Sequence, residues 1–340
     1  MRSPVLACLA CVGMLPAADD AFGASFPGAR PAVPEGSGRF AAPAAISLAA
    51  SSFAGVPPPK LESDAARSAA RECPMLRLPW GPIESCTTAV AVSGVAASAL
   101  VSAAAWWGQG FDSRFSVASE GWFGADTYAG GIDKLGHAFS FYAATRLGTH
   151  ALVGVGASRD EAVRLSAGVA LGFGLGVEGL DGLSRSGRYG FSWEDLAMNA
   201  VGVGLGVAME THPGLDRRFA FRWMYSPRGR DDNWYDHHTY VVALRLSGVE
   251  AIGPRNPLRY LEVVVGYGAT GFRSDFDFGN GDFRRRTLYA GVALNVTELL
   301  DRTVFRGELR DGRAHRWTTE ALRYVQPPGT ALAFRKNWRP

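Results

Sequence analysis

The chain has 340 residues with 35 basic and 32 acidic side chains, a formal charge of +3. That length accommodates one large domain or two ordinary ones with a real core, and the near-balance of charge removes the electrostatic case for a nucleic-acid partner. Charged residues make up only 20 % while Gly reaches 42, and much of that Gly lies in a helix-like middle region, where membrane helices use small residues to pack closely and soluble helices lose stability.

The N-terminus reads as an export signal. Met1-Arg2 is a short basic start, Pro4 to Ala18 is apolar apart from Pro16, and Ala21-Phe22-Gly23-Ala24 offers a small-residue cleavage site. A first membrane helix is the alternative, but the run is short for a span. Val5-Leu6-Ala7-Cys8 loosely imitates a lipid-attachment site. Cys73 and Cys86 lie beyond the signal. In an oxidising periplasm they can pair around a Pro-rich loop; two unpaired thiols are the other reading.

From Ser25 to about Ala70 the composition is Ala, Pro, Gly and Ser with scattered charges and no sustained period. Such a segment cannot bury enough surface to offset ordering, so residues 25–83 are expected to be a disordered linker. No charged residue occurs between Glu84 and Asp112. Thr87 to Trp107 therefore reads as a membrane-type helix with Trp106-Trp107 at an interface, or as a buried core helix.

A second helix is expected from Ile132 to about Val155 and a third from Arg159 to Leu180. In the third, Gly168, Gly172 and Gly176 recur every four residues, the spacing that admits another helix backbone. A fourth runs from Ser192 to about Glu210, with Gly202 and Gly206 repeating that spacing, and stops at Pro213-Gly214. The period then changes from helical to two. Tyr235 to Leu246, Tyr260 to Phe272, Arg286 to Val296 and Thr330 to Lys336 read as four strands, with a turn signal at Asp277 to Asp282 and short helices near Glu298 and Thr318. Four strands are too few to close a barrel, so the sheet either packs on the helices or needs other chains.

The expected fold class is α+β: a hydrophobic bundle of about four helices followed by a C-terminal antiparallel β-meander. The domain reading is a signal at 1–24, a linker at 25–83, the bundle at 84–222 and the sheet region at 223–340.

Polar residues gather at the ends of the apolar helices. Asp133 and His137 share a helix face, as do Glu178 and Asp181, and as do Asp195 and Asn199. With Lys134 and Ser192 they make a polar cluster. His137, Glu178, Asp181 and Asp195 are the metal-ligand candidates, since imidazole with carboxylates suits a divalent ion such as zinc, manganese or iron. A proton relay is a further use of a His beside carboxylates. Plainer roles exist for most members. Ser192 with Asp195 fits an N-cap, Asp133 complements a helix dipole, and Asp181-Gly182 is an ordinary turn pair. His137 and Glu178 sit among apolar residues, where a charge needs a partner. Arg284-Arg285-Arg286 reads as a solvated loop.

Trp122-Phe123-Gly, the run Tyr128 to His137, Glu178-x-x-Asp181-Gly182 and Ser192-x-x-Asp195-x-x-x-Asn199-x-x-Gly202 together resemble the YfiM-like family of predicted periplasmic lipoproteins of unknown function. Gly266-Tyr267-Gly and Tyr289 to Asn295 are similar to the sheet region of its longer members. More distantly, the Asp-Lys-x-x-His, Glu and Asp-x-x-x-Asn pattern resembles the VanZ-like membrane proteins. The first resemblance implies a location in a Gram-negative-type envelope, in the periplasm or at the outer membrane, and no reaction.

Two functions are open on these grounds. One is a membrane-associated structural or lipid-interacting protein with a buried polar network. The other is a membrane-embedded metal-dependent hydrolase of an envelope lipid or glycan. Membrane lipid, a second copy or an envelope protein are the partners expected.

Overall fold

The computed structural model describes residues 77–78, 81–82, 85–105, 107–124, 127–185, 190–225, 234–272, 284–310 and 312–338. Helix α1 spans Cys86–Ala105, α2 Ile132–Gly154, α3 Arg159–Gly182 and α4 Trp193–Thr211. A six-residue helix, Pro213–Arg218, leads into the sheet: β1 Phe219–Tyr225, β2 His238–Arg245, β3 Leu261–Thr270, β4 Arg285–Leu294 and β5 Ala331–Trp338. Helices α5, Val296–Thr303, and α6, Arg313–Tyr324, separate β4 from β5. The architecture is α+β, with the strands antiparallel in the order β1-β2-β3-β4-β5.

The sheet holds one strand more than the four expected. Phe219, Phe221, Trp223 and Tyr225 alternate in β1, and the boundary drawn at 222/223 falls inside it. The signal at 1–24 and the turn at Asp277 to Asp282 lie outside the described residues. So does the linker at 25–83, apart from Arg77–Leu78 and Gly81–Pro82, which pair antiparallel. Cys86 is disulfide-bonded; Cys73, its expected partner, also lies outside the described residues.

One cluster joins the two halves. Ile132, Phe139, Tyr142 and Met209 from the helices pack with Phe221, Tyr240 and Phe272 from the sheet region. The Phe139 ring meets Phe221 edge-on at 5.5 Å between centroids, an arrangement favoured by the ring quadrupoles.

Close helix packing uses the two glycines expected in the fourth helix, but not the three expected in the third. A Cβ on Gly202 would stand 2.2 Å from the Ala138 carbonyl oxygen, and one on Gly206 would stand 2.9 Å from Thr145. Within α3 it is Gly174 that faces a neighbour, with Phe141 2.9 Å from its ideal Cβ. Gly168, Gly172 and Gly176 have nothing within 4 Å. The four-residue spacing thus marks the outward side of α3, while the close approach within the chain runs between α2 and α4.

Three successive left-handed residues precede α2: Ala129 (φ 47°), Gly130 (φ 68°) and Gly131 (φ 84°). Ala129 is strained in this region, and such strain persists only when its surroundings over-determine it. The sheet supplies that constraint. The Tyr267 hydroxyl donates to the Gly130 carbonyl at 2.5 Å, and Arg286 donates to the same oxygen at 3.3 Å and to the Gly124 carbonyl. Arg286 is therefore a buried clamp in β4 and no part of a solvated loop.

Candidate functional site

The clamped turn sets the direction in which α2 starts, and its first residues carry the site. Lys134 is 0 % exposed. Its Nζ donates to Asp133 Oδ2 at 2.9 Å, to Asp195 Oδ1 at 2.6 Å and to Glu120 Oε2. Those carboxylates come from α2, from the first turn of α4 and from the loop before α2. The Tyr235 hydroxyl, just ahead of β2, donates to Asp133 Oδ1 at 2.7 Å. An ammonium has three donors, and here each meets a carboxylate.

His137 lies one turn further along α2, and its side chain is 23 % exposed. Its Nε2 is 3.8 Å from Asp133 Oδ1 and 3.7 Å from Asp195 Oδ1. On the other side Nδ1 makes a 2.9 Å contact with Asn199 Oδ1. Glu178 Oε1 lies 4.0 Å from Nδ1.

Ser192 caps α4 by accepting from Asp195 N–H at 3.2 Å. A capping box would return the N3 side chain to the cap's own N–H. Glu178 of α3 takes that place instead, its Oε2 accepting from Ser192 N–H at 3.2 Å. The cap is thereby shared between two helices, and Asp195 is free to face Lys134. Asp181 stands apart, with its Oδ1 accepting from Trp107 Nε1 at 2.7 Å.

The structure thus brings together Asp133, Lys134, His137, Glu178, Ser192, Asp195 and Asn199, with Asp181 at the margin. Three contributors escaped the sequence reading. Glu120 sits outside the helices and carries no periodic signal, Tyr235 is 102 residues from its partner, and Trp107, expected to end a helix at a membrane interface, lies buried just beyond α1 and donates to Asp181.

Five carboxylates, Glu120, Asp133, Glu178, Asp181 and Asp195, face two basic groups, Lys134 and His137. Protons redress the balance. Burial, with Asp133 and Asp195 nearby, pushes Glu120 up to about 9. Burial likewise raises Glu178 to about 8, despite the opposing pull of His137, and Asp181 to about 6. Burial also acts to raise Asp133, but Lys134 and His137 outweigh it and hold that carboxyl at about 2. For His137, burial favours the neutral ring, yet Asp195, Asp133 and Glu178 prevail and lift it to about 9. At neutral pH the ring is an imidazolium that donates from Nδ1 to Asn199 and turns Nε2–H toward the two aspartates.

Part of the donor set has the spacing of a metal site. Asp133, His137 and Asp195 each offer a ligand atom, all within 4.8 Å of one another. This triple includes Asp133, whereas the expected set used Glu178 and Asp181. Glu178 sits on the Asn199 side of the ring, and Asp181 is held by Trp107. The residues fit a divalent ion in type, but Asp195 Oδ1, the atom nearest His137 Nε2, is already bonded to Lys134.

A second charged cluster closes the far end of α2 and α4. Arg146 Nε donates to Glu210 Oε1 at 2.6 Å and its Nη2 lies 2.7 Å from Asp216 Oδ1. His150 lies 3.3 Å from Glu210 and 3.1 Å from Glu320.

Fold and site together define an α+β protein whose helical module is pinned at both ends by buried charge networks and fixed to a five-stranded meander. Residues 119–211 match the family model described as "Predicted periplasmic lipoprotein (DUF2279)", the predicted periplasmic lipoprotein family that the motifs resemble. The matched segment contains every residue of the junction except Trp107 and Tyr235. This likeness to predicted periplasmic lipoproteins fits a location in the Gram-negative-type cell envelope, in the periplasm or at the outer membrane. No curated protein and no solved structure matches the chain, and the VanZ likeness has no counterpart in these comparisons.

Proposed function

We propose that this envelope protein is a membrane-associated structural protein without catalytic activity. Its Lys134-centred network serves to lock three helices in register and to fix them to the sheet. One observation carries the reading: a fully buried ammonium is held by carboxylates from three separate segments, one of which is also bonded to Tyr235. A group bound on all its donors has none left for a substrate, and removing it strands buried acids. Membrane association is supported by α3, which is long and apolar enough to cross a membrane by length and composition. Its Leu171 and Leu175 are exposed, where a soluble helix would carry polar groups.

A second reading is favoured by a specific pair of atoms. Glu178 Oε1 and Asn199 Nδ2 are buried with no hydrogen-bond partner among the described residues, and buried polar atoms left so call for a reason. A divalent ion on Asp133, His137 and Asp195, with Glu178 as acid–base group, would make the site a metal-dependent hydrolase of an envelope lipid or glycan. Elemental analysis of the purified protein, combined with unfolding of His137→Ala, separates the readings. The structural lock gives a destabilised variant and no stoichiometric metal. One equivalent of metal, lost in the variant while its stability is kept, overturns the lock in favour of the hydrolase.

A further inference from the structure

The two edges of the sheet differ. The β1 edge is closed by the chain itself: Trp223 forms a parallel bridge with Val325, and Gln326 N–H donates to the Trp223 carbonyl at 2.9 Å. At the other edge no described residue pairs with the free side of β5, which is exposed from Phe334 to Trp338. A free edge strand presents a row of unpaired N–H and C=O groups, and the partner that satisfies them is another strand.

The ladder shows which groups are free. Leu294 N–H donates to the Thr330 carbonyl at 2.8 Å, so these opposed residues form a hydrogen-bonded pair. Such pairs alternate along antiparallel strands. Leu332, Phe334, Lys336 and Trp338 therefore bond β4 through Val292, Ala290, Leu288 and Arg286. Ala331, Ala333, Arg335 and Asn337 aim their N–H and C=O groups away from the sheet.

That phase limits how β5 can pair with itself, because outward groups must meet outward groups. A two-fold axis at Phe334 satisfies this from Ala331 to Asn337. Ala331 then faces Asn337 of the second copy, Leu332 faces Lys336, Ala333 faces Arg335, and Phe334 faces Phe334. No like charges stand directly opposite. The two Arg335 side chains are diagonal to each other, each drawn over its own Tyr289 ring at 5.6 Å. Moving the axis to Arg335 sets the two guanidinium groups face to face, which is destabilising. The strand is self-complementary because its apolar and basic halves exchange places under the two-fold. Lysine often guards an edge, but here the Lys336 stem lies beside Leu332 of the second copy. Leu332 and Phe334, 87 % and 89 % exposed in one copy, each gain a cross-strand neighbour. The closed β1 edge prevents head-to-tail growth, so the pairing ends at a dimer.

We infer that β5 pairs antiparallel with β5 of a second copy, joining two sheets about a two-fold axis at Phe334. This goes beyond the structural role proposed above and does not depend on the Lys134 network.

The test combines oxidative cross-linking of added cysteines with light scattering over a range of concentrations, on the full chain in mild detergent. In a non-hydrogen-bonded pair the Cα atoms approach to about 4.5 Å, within the span of a disulfide. Phe334→Cys is expected to give a covalent dimer above the wild-type background. Leu332→Cys is not, since its two copies stand about 14 Å apart in this register. Ala333→Pro removes an outward N–H and leaves the bonds to β4 intact, and Phe334→Glu sets two carboxylates against each other. Both should raise the dimer dissociation constant about tenfold or more. Circular dichroism checks that the variants keep the fold; should Ala333→Pro lose it, Phe334→Glu and the cysteine pair decide. A wild-type chain that stays monomeric at every concentration overturns the inference. So does a dimer that the folded variants retain, or one that cross-links at Leu332 and not at Phe334.

Discussion

The Tyr235 hydroxyl donates to Asp133 Oδ1 at 2.7 Å, which joins the start of the sheet region to the first turn of α2. Asp133 also bonds Lys134 through Oδ2, so the pair connects the fold's two halves through one ionised carboxylate. Removing the hydroxyl while keeping the ring should expose the strength of that connection. Tyr235→Phe is expected to lose roughly 1.5–3 kcal/mol, the range for a hydrogen bond to a charged group. Chemical denaturation measures it, and an unchanged midpoint would show that the connection is not stabilising.

Glycines in the two helix faces should respond in opposite directions. Gly202→Ala forces a methyl against the Ala138 carbonyl, whose oxygen would lie 2.2 Å away, and overpacking of this kind costs roughly 1–3 kcal/mol. Gly172→Ala meets nothing within 4 Å and should gain up to about 1 kcal/mol from helix propensity. Thermal melts of both variants check the contrast. Equal effects would mean that the α2–α4 approach is looser than described.

The distal cluster should give a distinctive pH dependence. For His150, burial favours the neutral ring, but Glu210 and Glu320 outweigh it and raise the group from 6.5 to about 9. Its contribution is therefore complete below the unfolded value and is lost as pH rises through about 9. For Glu210, burial acts upward, but His150 and Arg146 prevail and lower it from 4.5 to about 2. That contribution is complete above 4.5 and fades as pH falls through about 2. Urea unfolding of wild type and His150→Asn across pH should show a stability difference at pH 6 that shrinks by pH 9.5. A difference that stays constant over this interval would remove His150 from the network.

Two of the long helices are legible from their caps, whereas α2, whose N-cap Gly131 makes no side-chain cap bond, is legible from its apolar run. Ser158 and Ser192 cap α3 and α4, and apolar runs fill the turns between. The convergence of Asp133, His137, Glu178 and Asp195 was also legible, since charge among apolar residues demands a partner. Long-range partners were not. Glu120 reaches Lys134 from an irregular loop, and Arg286 reaches the Gly130 carbonyl from 156 residues away. Spacing also fixes a helix face without saying what covers it. That is why the same four-residue spacing predicts a close contact correctly at Gly202 and Gly206 but not at Gly168, Gly172 and Gly176, where α3 makes its contact through Gly174. β1 was overlooked because its alternation begins directly after a helical turn, without an intervening loop signal.

The most direct measurement is the unfolding free energy of Lys134→Met against wild type. Methionine fills similar space but removes the charge that compensates Glu120, Asp133 and Asp195. A loss of roughly 3–5 kcal/mol is expected, the range for stranding one side of a buried ion pair. A variant as stable as wild type would contradict the role of Lys134 as the lock between helices and sheet.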